Sequence, residues 1–319
     1  SIVEASNLPA FAQFAIGVAR LIERRAVRRT GRVERLTRAL NRLGPTYVKF
    51  GQTLGTRPDI VGPEIAADLS GLQDAMQPFD AALVPGLLKA ALGDQAAKLT
   101  EISPCVAAAS IAQVHKATLT DGAGGKETVA IKLLRPGIEA RFRSDLESFY
   151  AGARLAERFM PGLRRLRPVE VVRTLDQSAR LELDLRFEAA SISEFAQNIK
   201  DDEGFIIPEV RWEQTAQRVL TTNWIEGVQI RNTKELDAAG IDRKKLAAHL
   251  MQSFLRHAIR DGFFHADPHP GNVLVSLETG NVTFLDTGMI GQLDLTQRVN
   301  LIQLIFALQQ ADISGMGQI

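Results

Sequence analysis

The sequence predicts an α+β protein of two lobes with a helical N-terminal extension, and three changes of texture along its 319 residues carry that expectation. The first hundred residues are poor in β-branched runs. They are cut into helix-length pieces by Gly44-Pro45, Arg57-Pro58, Gly62-Pro63, Gln77-Pro78 and Gly93-Asp94. Near Pro104, alternating and β-branched segments begin. Beyond Gly227 an amphipathic helical pattern returns, now carrying two polar loops. The boundaries expected from these changes are 1–103 for the extension, 104–226 for a small lobe and 227–319 for a helical lobe. A helical insert over about 138–199 interrupts the small lobe.

Each element has a local reason. Residues 111–119 (IAQVHKATL) and 128–134 (TVAIKLL) alternate or run apolar on either side of the glycine-rich turn DGAGG, which predicts a β-hairpin. From 138 to 199 the pattern is helical, broken at Met160-Pro161-Gly162 and around Arg167-Pro168, because proline removes an N–H and its ring blocks the preceding turn. Short strands are expected at 205–211 (FIIPEVR) and 218–225 (RVLTTNWI), with Glu226-Gly227 as a hinge. Residues 243–261 form an amphipathic helix. The loop HADPHPGN follows, then strands at Val273–Val275 and Val282–Leu285, and then Asp286-Thr287-Gly288.

Composition removes several classes of protein. With 45% hydrophobic and 24% charged residues the chain is neither disordered nor fibrous. A lone Cys105 cannot form an internal disulfide, and no His/Cys group has the spacing of a structural zinc site. The net charge of +1 hides a basic run: from Arg20 to Lys49 ten Lys/Arg face only Glu23 and Glu34. An apolar stretch at 8–22 precedes it. The basic run suits a solvated helix face, an anionic lipid surface or an acidic partner, and the apolar stretch either packs on the chain's own core or joins the basic run at a membrane. Few aromatics accompany the arginines, so nucleic acid is not an expected partner. No apolar run reaches 18 residues, and the basic residues follow the apolar stretch, the reverse of a signal peptide.

Phosphoryl transfer needs charge neutralisation on the phosphates, metal ligands, and a group that orients or deprotonates the acceptor. Val129-Ala130-Ile131-Lys132 ends an apolar strand in a lysine that can meet the α/β-phosphates of ATP or ADP. In His265-Ala266-Asp267-Pro268-His269-Pro270-Gly271-Asn272 an aspartate and an asparagine stand five apart, the spacing of a kinase catalytic loop. Asp267 is expected to accept or orient the acceptor proton, and Asn272 to hold Mg²⁺. A zinc site on His265, Asp267 and His269 is the rival reading of this loop, made awkward by its prolines. Asp286, 14 residues after Asn272, is the second expected Mg²⁺ ligand. Thr287 stands where protein kinases have Phe, which puts the switching role of that residue in doubt. A phosphate-covering loop is expected some 20 residues before Lys132, at Ala107, Ala108, Ala109 and Ser110. Alanine does not visit positive φ cheaply, so this loop should be stiffer than a glycine loop.

On these motifs the chain resembles the UbiB/ADCK family of atypical kinase-like ATPases linked to ubiquinone biosynthesis. The alanine-rich loop is one family marker. The others are Lys49-Phe50-Gly51-Gln52, the K-x-G-Q signature, and Glu182-Leu183-Asp184, the E-x-D signature. Helical spacing puts Lys49 and Gln52 on one face, and Gly51 suggests close approach of another element. Asp184 and Glu188 are four apart and are expected to share one helix face, with Glu182 pointing elsewhere. The resemblance implies that Glu188 pairs with Lys132. It also implies that Lys49 and Gln52 dock near Glu182 and Asp184 in a regulatory role, hindering protein acceptors. It further implies prenyl-quinone intermediates and ubiquinone-biosynthesis proteins as partners, at the cytoplasmic face of a bacterial inner membrane or its organelle equivalent. About 30 residues follow Asp286, fewer than a kinase C-lobe needs, so a truncated C-lobe is expected. The rivals are a small-molecule kinase of the choline or aminoglycoside type and a pseudokinase scaffold that binds nucleotide or lipid without turnover. The K-x-G-Q helix and alanine loop disfavour the first. Asp267, Asn272 and Asp286 together disfavour the second.

If residues 1–60 bind an anionic membrane, the full chain should co-sediment with anionic vesicles more than with neutral ones. Each basic residue near the surface contributes up to about 1 kcal/mol, a term that salt screens. A chain beginning near Asn41 should lose this binding; equal, salt-insensitive partitioning of both would rule out a membrane role.

Overall fold

The computed structural model describes residues 39–55, 58–70, 76–121, 124–266, 270–288 and 290–309. The basic run before Arg38 and the apolar stretch 8–22 therefore lie outside the described residues. In chain order come helices α1 (Pro45–Gly55), α2 (Pro58–Val61), α3 (Pro63–Ser70) and α4 (Val84–Leu92). Strands β1 (Leu99–Thr100), β2 (Cys105–Ala108), β3 (Ala112–Thr120) and β4 (Lys126–Leu134) follow. Helices α5 (Ile138–Phe159), α6 (Pro168–Glu182) and α7 (Leu185–Asn198) make the predicted helical insert. Then come β5 (Val219–Asn223), β6 (Val228–Gln229), α8 (Thr233–Ala238) and α9 (Arg243–Arg256). Strands β7 (Phe263–His265), β8 (Val273–Val275), β9 (Val282–Phe284) and β10 (Ile290–Gln292) and helix α10 (Leu295–Gln309) close the sequence of elements.

The contacts separate into two units that interleave in sequence: 1–84, 105–114 and 133–183 in the first, 85–104, 115–132 and 184–319 in the second. In the first, α5 and α6 pack through Leu146, Ala153, Val172 and Leu175. α1 adds Phe50, whose ring stacks on Phe149 at 4.8 Å. This packing explains why α1 forms in spite of Gly51: burial of one face outweighs the weak propensity.

In the second unit a sheet runs in the order β1-β3-β4-β5, with Leu99 of β1 opposite Leu119 of β3. A second core forms around Phe195 of α7, with Phe263, Val273, Val275, Val282 and Phe284. It seats the short antiparallel pair β8/β9, in which Val273 faces Phe284.

Two expected elements differ. Residues 205–211 are not a strand. Phe205 bridges Val282 at one end and Val210 bridges Thr222 at the other. Pro208 between them has no N–H to continue a ladder, so the segment splits between two partners. The helix expected over 243–261 is α-helical only to Arg256 and widens into a π-turn at His257–Asp261. Gly262 ends that turn at φ 64°, and a Cβ there would come within 2.5 Å of the Leu293 carbonyl, so only glycine fits. Among the described residues no helix is long and apolar enough to cross a membrane.

Asp202, just past α7, ties that helix to the π-turn. Its carboxylate is 6% exposed and accepts from Arg260 at 2.8 and 2.9 Å and from His257 Nε2 at 3.0 Å. The Arg260 guanidinium, opposed by burial and aided by His257, holds the Asp202 carboxyl below the usual range. A depressed carboxyl contributes stability above its unfolded value, about 3.9, and loses it as pH falls through the folded value. Asp202→Asn should therefore cost on the order of 1–3 kcal/mol at pH 7 in urea unfolding, with the difference shrinking below about pH 4. Identical midpoints at pH 7 would refute this tie.

Candidate active site

In the second unit the pleat of β4 places Val129 and Ile131 in the core and turns Lys132 to the other face. Helix α7 supplies its partner. The chain breaks between α6 and α7, so Asp184 caps the new helix: its carboxylate accepts from the Arg186 N–H at 3.1 Å, and Leu185 N–H bonds to the Gln217 carbonyl. The helical pattern expected to run through 182–188 is therefore broken between Glu182 and Leu185, with Asp184 as the cap and Glu188 in the first turn of the new helix. Asp184 also pairs with the Arg186 guanidinium at 2.6 Å, whose hydrogen bond holds its carboxyl below the usual range.

Glu188 in the first turn of α7 receives both bonds of Lys132 Nζ, at 2.7 Å to Oε1 and 2.8 Å to Oε2. Exposure is 18% for the lysine side chain and 8% for the glutamate. Asp286 Oδ1 lies 3.7 Å from the same Nζ and is 47% exposed. The β8/β9 register brings Asn272 to the same hairpin end as Asp286, since the Leu285 N–H donates to the Asn272 carbonyl at 2.8 Å. Asp286 is held from both sides: its Oδ1 accepts the Gly288 N–H at 2.9 Å, and its carbonyl accepts from His265 Nε2 at 2.5 Å. A carbonyl only accepts, so Nε2 carries the proton and is committed to the backbone. Asp267 and His269 lie outside the described residues.

The donor set suits magnesium. Asn272 and Asp286 offer hard oxygen donors, and Mg²⁺ takes only one or two carboxylates, leaving its other positions to phosphates and water.

In the first unit the K-x-G-Q helix contributes Lys49, whose Nζ pairs with Glu182 Oε2 at 2.8 Å, both side chains 17% exposed. Gly51 is buried in α1, and Gln52 follows one residue on. The alanine loop is narrower than expected. Ala107 and Ala108 belong to β2, and only residues 109–111 turn, with Ala109 N–H donating to the Ala112 carbonyl. Ser110 within the turn is buried. Among the described residues the non-glycine positive φ angles fall at Glu101 and Arg167, so the alanines stay in ordinary backbone regions, as their chemistry requires.

Arg135 was not singled out by sequence. Its Nε and Nη2 both donate to the Ala109 carbonyl, at 3.0 and 2.8 Å, and its N–H donates to the Ile111 carbonyl. The only signal available was an arginine immediately after the strand of Lys132.

A model of the ABC1 atypical kinase-like domain matches residues 71–319. Over 294 residues the chain is 39% identical to the "Probable protein kinase UbiB" of Xanthomonas campestris pv. campestris (strain B100), covering 89% of this chain and 53% of that protein. Over 293 residues it is 37% identical to the protein of the same name from Marinobacter nauticus, covering 90% and 53%. The chain thus spans about half the length of the curated relatives it matches. It is also similar to the solved complex of Rv3197 with erythromycin from Mycobacterium tuberculosis. There the TM-score is 0.58 at 25% identity, covering 83% of this chain and 66% of that one.

Gly288 offers a local test of the site. A Cβ there would lie 3.0 Å from Asp286 Oδ1 and 3.9 Å from Glu188 Oε2, so the neighbouring carboxylate must shift to admit it. Gly288→Ala should weaken Mg²⁺-dependent nucleotide binding about tenfold, equivalent to about 1.4 kcal/mol, without lowering the thermal midpoint of the free protein. Unchanged affinity would show that the Asp286 geometry does not matter to the site.

Proposed function

The chain belongs to the ABC1 atypical kinase-like domain family, and from that premise we propose that it uses Mg-ATP for ATP hydrolysis or phosphoryl transfer in support of ubiquinone biosynthesis. The observation that carries this reading is Lys132 gripped by Glu188 with Asp286 at 3.7 Å. A buried ion pair of this kind is a poor source of stability, since apolar residues of similar size do as well. It is a sound way to hold one ammonium at a fixed point beside a metal ligand.

In this reading Lys132 binds the α/β-phosphates of ATP or ADP and Glu188 fixes its position. Asn272 and Asp286 would hold Mg²⁺, which when bound neutralises phosphate charge. Asp267 orients the acceptor or water and takes its proton. The segment Ala107–Ser110 covers the phosphates, its turn held by Arg135 through the Ala109 carbonyl. The UbiB name of relatives at 37–39% identity supports the link to ubiquinone, and with it prenyl-quinone intermediates, pathway proteins and a membrane face as partners. The extension, through Lys49, Gly51 and Gln52 with Glu182 and Asp184, serves to hinder protein acceptors. The Lys49–Glu182 pair gives that role a fixed anchor.

The test is nucleotide binding with and without Mg²⁺, followed by turnover. ADP at about 100 times its Kd should stabilise the protein by about 2.7 kcal/mol in the presence of Mg²⁺. Asp286→Asn should remove most of the metal-dependent part. Asp267→Asn should leave binding near normal and lower turnover at least about a hundredfold, because its task arises in the transition state. Equal affinity in chelator and Mg²⁺ would sink the metal assignment, and an unchanged rate in Asp267→Asn would favour a scaffold.

A further inference from the structure

Behind the β7 and β8 strands that flank the catalytic loop, the second unit contains an open cavity of about 410 Å³. That is within the range of small-molecule sites, roughly 300–1,000 Å³. Its walls are almost wholly apolar and unusually aromatic. Phe195, Phe205, Phe254, Phe264 and Phe284 all line it, and it opens to solvent beside Ala247 and Met251. The polar groups on its wall are differently committed. His257 Nε2 bonds to Asp202, and His265 Nε2 bonds to the Asp286 carbonyl. Ser253 is different. It lines the cavity from the inner face of α9 and is 2% exposed, and among the described residues its buried hydroxyl has no hydrogen-bond partner. A serine inside a helix usually turns its hydroxyl back to the carbonyl four residues earlier. Ser253 does not, and a buried hydroxyl left unsatisfied is costly, on the order of 1–3 kcal/mol.

We propose that this cavity is a binding site for a small neutral aromatic molecule carrying one hydrogen-bonding group, which the Ser253 hydroxyl receives. The five phenylalanine rings favour a flat aromatic guest through edge and face contacts. Among the described residues no Asp, Glu, Lys or Arg lines the wall, so the site favours a neutral ligand, whose desolvation costs least. Among the described residues none of Lys132, Glu188, Asn272 or Asp286 lines it; its nearest link to them is His265, which bonds to the Asp286 carbonyl.

The test uses the full chain with two probes of matched shape: indole, whose N–H can bond to Ser253, and indene, which lacks it. Indole should bind saturably, and more tightly than indene by about threefold or more, the worth of one neutral hydrogen bond. Ser253→Ala should abolish that preference while leaving indene binding equal or tighter. Ala247→Trp, at the exposed mouth and so harmless to the core, should block both probes with the thermal midpoint unchanged. Asp286→Asn should bind indole normally. Absence of saturable indole binding, or binding insensitive to Ala247→Trp, overturns the site. An indole-to-indene ratio unchanged by Ser253→Ala overturns the role of the hydroxyl. Loss of indole binding in Asp286→Asn would move the probe to the nucleotide groups and likewise overturn the proposal.

Discussion

Lys132 and Glu188 stand 56 positions apart, yet one ammonium touches both carboxylate oxygens at 2.7 and 2.8 Å in a place from which water is largely removed. Removing two charges from water costs several kcal/mol for each, and their attraction returns that only when the geometry is good. The elements around the pair therefore have to arrive in fixed positions. The pleat of β4 aims the lysine. The Asp184 cap and the bond from Leu185 N–H to Gln217 fix where α7 starts, and hence where its first turn presents Glu188. If α7 began one residue later, Glu188 would swing about 100° around the helix axis.

The far end of α7 is held as firmly as its start. Phe195 meets Phe284 edge-on at 6.0 Å, directly before the segment that carries Asp286, and meets His257 at 5.4 Å. Asp202 then binds the π-turn through His257 and Arg260. One helix thus meets the lysine at its beginning, and the floor of the Asp286 hairpin and the π-turn at its far end. The charge cluster inherits its rigidity from that aromatic and polar backing, and the hydrogen bonds of Asp286 to Gly288 and His265 complete it.

Much of this was legible in the sequence because the chemistry is concentrated in short motifs. Lys132, Asn272 and Asp286 are each marked by residue type and spacing, whereas Glu188, 56 positions from its lysine, was marked only by the family resemblance. The errors arose where two forces compete. Helical periodicity across 182–188 looked continuous, but the Asp184 carboxylate offered a better partner to the next helix's N–H groups than another turn would have. At 205–211 the apolar pattern of a strand was real, but Pro208 divided its hydrogen bonding between Val282 and Thr222. Arg135 escaped notice because its function lies in bonds to the backbone carbonyl of Ala109, and no side-chain pattern signals those.

The π-turn at His257–Asp261 has a consequence for how this chain can vary. A π-turn is an α-helix holding one residue too many, so deleting a residue from 257–261 could restore regular backbone hydrogen bonding, but it would move His257 or Arg260 off Asp202. The strand beyond it would fare worse. Its alternation of Phe263 and His265 inward with Phe264 between them is fixed by register with β10, and removing one residue would reverse every face. His265 would then turn away from the Asp286 carbonyl. In this stretch the number of residues is constrained as tightly as the identity of His257, Arg260, Gly262 and His265, so length variation among related chains should avoid it while side chains on its outer surface drift.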